Sequence, residues 1–350
     1  MNMRVCQQEH NCPRKSLVTR GLIWLAFACL ITACSGNQPI KPWADLQIPG
    51  VKKIPGIEAL QAHSDVIRVY HAVTYQSKLD SNATHVLLQN GQAVYDARLD
   101  GSQLHAVMLP CSESVAVAPG GQRVACVSDT GIQIHDLTNR NADVTLTGAG
   151  SYAGYPTWAP DGHHLASVTG LEGGCSIAIF DISPTLDTHL VELLSLPQFL
   201  TQEPGGSGCS VTRLTWSPDG TQFAFIDNNT LTLYDLPVAP LHLLTQSINS
   251  SPLLHTVSRG QVVALGRCSP HSGLSWAASS RTLTFVDLRG QRIEQVDIVT
   301  YATSTLLTQH AASLFDVSWT PDGKHLLFVL GIASDELTPP PSQIYVYTPS

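Results

Sequence analysis

One phrase recurs along the chain and restricts the fold more than any other feature. It reads PTWAPDG from Pro156, LTWSPDG from Leu214 and VSWTPDG from Val317. Worn copies read VAVAPGG from Val115 and LSWAASS from Leu274. Each copy is a short apolar run ending in a tight turn. Proline presets φ, aspartate bonds its own backbone, and glycine takes a positive φ. An alternating apolar strand follows each turn, as in FAFID from Phe223. A third strand follows in turn, as in TLTLYD from Thr230. A weaker fourth run closes several units, such as VTLTG after Asp143 and LHLLTQ from Leu241.

Four short strands in a unit of roughly 40–45 residues is the mark of a propeller blade. The chain is therefore expected to be all-β, a β-propeller of four-stranded antiparallel blades. Six blades are expected, with seven as the alternative. Five blades come from the five copies, and the sixth from HVLLQNGQAVYDARLDG and HAVMLP between His85 and Pro110. VIRVYHAVTY from Val66 is expected either to open that sixth unit or to pair with the C-terminal strand near Ile344–Tyr347. The second option would close the ring and hide two sheet edges. The runs LLHTVS and QVVALG, between Leu253 and Gly266, have no assigned place and leave room for a seventh blade. The W-x-P-D-G turn resembles the TolB-type, WD-like propeller repeat. The resemblance covers residues 62–350 and implies an exported protein that acts through protein contacts.

The first 33 residues read as an export signal. Arg14, Lys15 and Arg20 precede an apolar run of 12 residues, Leu22–Ala33. That length suits a signal core and is too short to span a bilayer. The run ends Leu30-Ile31-Thr32-Ala33-Cys34, which resembles a bacterial lipobox and implies lipidation of Cys34. Residues 34–60 then form an anchor and a Pro-rich spacer, with Pro39, Pro42, Pro49 and Pro55, and residues 61–350 the propeller. Removing residues 1–33 leaves 15 Lys/Arg against 26 Asp/Glu, a net charge of −11. Such an acidic chain argues against nucleic acid as a partner.

In a propeller the fourth-to-first and second-to-third connections share one face. Pro197–Val211 and Gln246–Gly273 read as fourth-to-first loops, and Gly170–Gly174 and Gly331–Pro341 as second-to-third loops. Long loops on a rigid scaffold are where function collects. Cys111, Cys126, Cys175, Cys209 and Cys268 map to the same face. Cys111 with Cys126, and Cys175 with Cys209, are candidate disulfides in an oxidising compartment, with Cys268 left over. Connectivity stays open at this point.

Asp161, Asp219 and Asp322 occupy one repeated turn position, so a structural role is expected for all three. No catalytic or metal motif is present in the sequence. The first-strand stretches VAVA, PTWA, LTWS, LSWA and VSWT offer no histidine or acid to a channel-mouth site. The expected function is that of a lipid-anchored scaffold on the extracytoplasmic face of the cell membrane. It would bind an envelope or surface protein or peptide, without a cofactor or metal and without enzymatic activity. The alternative is a propeller hydrolase or lyase.

Overall fold

The computed structural model describes residues 48–56, 71–76, 82–90, 93–107, 113–128, 131–138, 143–146, 152–171, 174–183, 188–195, 211–227, 230–236, 263–267, 273–310, 312–331 and 343–349. Every regular element among them is a strand. The first, β1 (Val51–Lys53), precedes the first blade. Blade 1 is β2 (His71–Gln76), β3 (Thr84–Asn90), β4 (Ala93–Arg98) and β5 (His105–Val107). Blade 2 is β6 (Glu113–Val117), β7 (Arg123–Ser128), β8 (Gly131–Asp136) and β9 (Val144–Thr145). Blade 3 is β10 (Tyr152–Trp158), β11 (His164–Leu171), β12 (Gly174–Ile182) and β13 (Thr188–Ser195). Blade 4 is β14 (Val211–Trp216), β15 (Gln222–Asp227), β16 (Thr230–Asp235) and β17 (Val263–Arg267). Blade 5 is β18 (Leu274–Trp276), β19 (Thr282–Val286), β20 (Arg292–Asp297) and β21 (Thr303–Thr308). Blade 6 is β22 (Ser313–Trp319), β23 (Leu326–Gly331) and β24 (Gln343–Tyr347), with β1 as its outer strand. All six sheets have four antiparallel strands in sequential order, save for the return of β1 to β24.

That return corrects the expected spacer. Val51–Lys53 lies inside residues 34–60, yet it pairs with β24, Val51 opposite Tyr347 and Lys53 opposite Tyr345. Ile54 is buried, and its amide donates to the Ile344 carbonyl. The ring unit accordingly begins at Ile48. HAVTYQ takes the other expected place and opens blade 1. The ring also closes on its inner side, where the Thr74 hydroxyl donates to the Trp319 carbonyl at 2.5 Å.

QVVALG corrects a second expectation. Its VALG is part of β17, the outer strand of blade 4, which leaves no hairpin over for a seventh blade. LHLLTQ, expected there, lies outside the described residues.

The core sits between blades. Central strands read as unbroken apolar runs because a sheet covers each of their faces, and all six residues of β23 are buried. Trp158, Trp216 and Trp276 end their inner strands and are buried. Each shares a cluster with small residues of the preceding blade: Trp158 with Ala116 and Ala125, Trp216 with Ala159 and Ala166, Trp276 with Ala224. Small side chains on one blade thus leave the space that the next blade's indole fills. Arg123 of blade 2 reaches over Trp158 and donates to the Gly162 carbonyl of blade 3 at 2.6 Å.

Candidate functional site: the loop face and the channel mouth

Strand order decides which connection emerges where. Inner strands start on one face and end at the Pro-Asp-Gly turns of the other. The fourth-to-first and second-to-third connections share the first face, here called the loop face. Residues 196–210 join β13 to β14 there, and 332–342 join β23 to β24. The expected loop Gln246–Gly273 does not stand as one. Because β17 occupies 263–267, residues 237–262 run from the third to the fourth strand and belong to the turn face. Only 268–272 remain on the loop face. Gly170–Gly174 is likewise no insertion, since Gly170 and Gly174 lie within the β11–β12 ladder.

The cysteines follow the same geometry. Cys126 lies in β7 two residues before that strand's loop-face end, is fully buried, and is disulfide-bonded. Cys111, its expected partner, lies outside the described residues, two positions before β6. Cys175 is the second residue of β12, again at the loop-face end. Cys34, Cys209 and Cys268 lie outside the described residues, as do the export signal and the rest of Pro197–Val211 before β14.

Inner strands begin before the repeated phrase, and the added residues are ionisable. His71 falls in β2, Glu113 in β6, Arg213 in β14 and Asp316 in β22. The expectation that inner strands carry no histidine or acid is therefore corrected. Asp316 was missed because it stands just ahead of VSWT. Four inner strands also shift register near this end, between Glu113 and Val115, Gly154 and Thr157, Val211 and Arg213, and Leu314 and Val317. Such bulges re-aim side chains and recur beside functional sites. At two of them a non-glycine residue takes positive φ, Ser114 at 25° and Tyr155 at 51°. The Arg213 guanidinium lies over the Tyr155 ring at 5.7 Å, joining the mouths of blades 3 and 4. Asp316 is buried, and its carboxylate accepts from the Val317 amide at 3.1 Å.

The turn face carries the repeated aspartates. Asp161 accepts from the amides of His163 and His164 at 2.8 and 3.0 Å. Asp219 accepts from the Thr221 amide and the Ser217 hydroxyl, and Asp322 from the Lys324 amide and the Thr320 hydroxyl. These bonds satisfy backbone groups that no ladder reaches. His–Asp pairs also lie at this end of three consecutive blades: His85 with Asp96, His135 with Asp143 and His164 with Asp161. In blade 1 the buried Tyr75 hydroxyl donates to Asp96 at 2.9 Å. Burial, then the Asp96 charge, pushes the Tyr75 hydroxyl far above its ordinary range. These pairs had no signal in sequence, because the partners are distant along the chain except in blade 3. No group of three His, Cys, Asp or Glu placed to hold a metal occurs among the described residues.

This architecture defines a six-bladed β-propeller. No family model matches the sequence, and no curated protein matches it. Among solved structures the chain is similar to the Cps50 (Swd1) β-propeller domain of Myceliophteria thermophila, with a TM-score of 0.50 and 12% identity over 79% of this chain and 83% of that one. It also matches TolB from Acinetobacter baumannii, with a TM-score of 0.43 and 17% identity over 73% of this chain and 59% of that one. A third match is regucalcin, a calcium-binding protein from Agrobacterium tumefaciens, with a TM-score of 0.49 and 12% identity over 81% and 91%. At such identities the likeness speaks for the fold alone.

Proposed function

We propose that the protein is an exported, lipid-anchored scaffold whose propeller binds a protein or peptide through its loop face. The observation that carries the reading is the buried disulfide at Cys126. Such bonds persist in oxidising compartments and are rare in the cytosol. The lipobox-like ending at Cys34 supports the same compartment. A rigid ring that collects long connections on one face supports binding there. The test is a pull-down of the protein from detergent-solubilised membranes, with a variant lacking residues 197–210 beside it. A reproducible protein partner lost with that deletion is the expected result. A partner retained by the variant, or no partner, would reject the loop face as the binding surface.

A further inference from the structure

We propose that the outer edge of blade 5, strand β21, docks an extended peptide segment of another protein by adding it as a fifth strand. This names a second surface for the binding role above and rests on that reading. An outer strand exposes a row of unpaired amides and carbonyls, which proteins blunt with shortness, charge or proline. Five of the six outer strands are blunted in this way. β5, β9 and β1 have three, two and three residues, and β1 carries Lys52 and Lys53. β13 carries Glu192, and β17 ends in Arg267. β21 has six residues, TSTLLT, with no charge and no proline. Thr303, Ser304, Thr305 and Thr308 are exposed, and β20 is its only strand partner among the described residues.

The edge is presented in a defined way. At one end the Asp297 amide donates to the Ala302 carbonyl, and at the other the Gln309 amide donates to the Gln291 carbonyl. Antiparallel ladders alternate, so the backbone groups of Thr303, Thr305 and Thr308 point away from β20. The register shift between Ile293 and Glu294 absorbs Leu306. The turn leading into β21 displays Val299 and Tyr301, two of the four exposed large hydrophobic residues among those described. Tyr301 holds a φ of 58°, a sparsely populated region for a bulky residue. The turn keeps it there through bonds from the Val299 and Thr300 amides to the Asp297 carboxylate and from the Tyr301 amide to the Asp297 carbonyl. Strain retained where the surroundings over-determine it is a feature of binding sites.

The occupant is a peptide of four to six residues, rich in β-branched side chains, with an apolar or aromatic residue at the end that meets Val299 and Tyr301. Charge favours a foreign peptide over a second copy of the chain. Around β21 charges balance, Arg281 with Asp297 and Arg292 with Glu294, whereas each whole copy brings a net charge of −8.

The test uses the full chain and two dye-labelled, end-blocked hexapeptides of alternating Thr and Val, one with Tyr first and one with Tyr last, read by fluorescence anisotropy. Wild type and Thr305→Val should bind one of them. Thr305→Pro, which removes an outward amide and no ladder bond, should lose roughly tenfold or more in affinity with an unchanged melting temperature. Equal binding by Thr305→Pro, or no binding of either peptide by wild type, would overturn the proposal. A wild-type dimer in sedimentation that Thr305→Pro abolishes would also overturn it, making the occupant a second copy. Loss of the edge with the membrane pull-down partner retained would reject this inference alone. Loss of that partner with peptide binding retained would reject the loop-face reading instead.

Discussion

At Gly273 the chain has no room for a methyl group. A Cβ there would lie 1.9 Å from an Asp316 carboxylate oxygen and 2.2 Å from the Val317 nitrogen, so the inner strands of blades 5 and 6 meet only because the residue is glycine. Gly273→Ala should cost about 3 kcal/mol, as overpacking of backbone against backbone does, read from urea unfolding. The turn glycines act differently. Gly220 has open space but a φ of 74°, so Gly220→Ala should cost about 1 kcal/mol from the left-handed backbone alone. Ser280 occupies the same turn position in blade 5 at a φ of 55°, while its hydroxyl accepts from the Asp219 amide. Ser280→Gly removes strain and a bond between blades together, and the net change should stay within about 1 kcal/mol. The blade 3 turn adds a pH dependence. Burial alone would raise the Asp161 pKa, but hydrogen bonds from the His164 ring and from the His163 and His164 amides outweigh it and bring it from 3.8 to about 2. The bond to Asp161 raises the His164 pKa above 6.5 against the effect of burial. The aspartate's contribution is present above 3.8 and fades as pH falls toward 2. The histidine's is present below 6.5 and fades as pH rises through its raised value. Wild type should therefore gain most over His164→Asn between these two pKa values, in urea midpoints measured across pH. A constant difference over the whole range would count against the pair.

Among elements, legibility tracked local chemistry. The repeated turns stood out because proline, aspartate and glycine each have a backbone reason to be there, and the strands after them alternate. β1 was hidden because three residues between prolines carry no period, and only the open edge of β24 makes them a strand. β17 was hidden because 27 residues separate it from β16, longer than ordinary connections, so a nearer apolar run took its place in the reading. The inner-strand residues at the channel mouth were hidden for a third reason. The bulges lie just before the repeated phrase and break its register there. β1 carries a prediction of its own. Removing residues 1–54 should uncover β24 and the pocket of Ile54, cost about 3 kcal/mol and promote aggregation, read by thermal unfolding with light scattering. Removing only residues 1–47 should leave the melting temperature unchanged.

As a whole molecule, the protein is a ring that closes twice, inside through Thr74 and outside through β1. No blade has a free seam among the described residues. Indoles wedged against small residues of the preceding blade make that ring stiff. Stiffness suits a body that holds loops in place on one face and offers one unblunted edge at its rim. The ring was legible because a repeat announces itself at every turn. The site was less so, because its residues come from different blades and meet only in the closed ring. The central claim is export with anchoring, and it is tested most directly on protein taken from its own cell membranes. Intact mass and non-reducing peptide mapping of that sample should show a mature chain starting at an acylated Cys34 and Cys126 linked to Cys111. A chain retaining residues 1–33 with a free thiol at Cys126 would contradict the account.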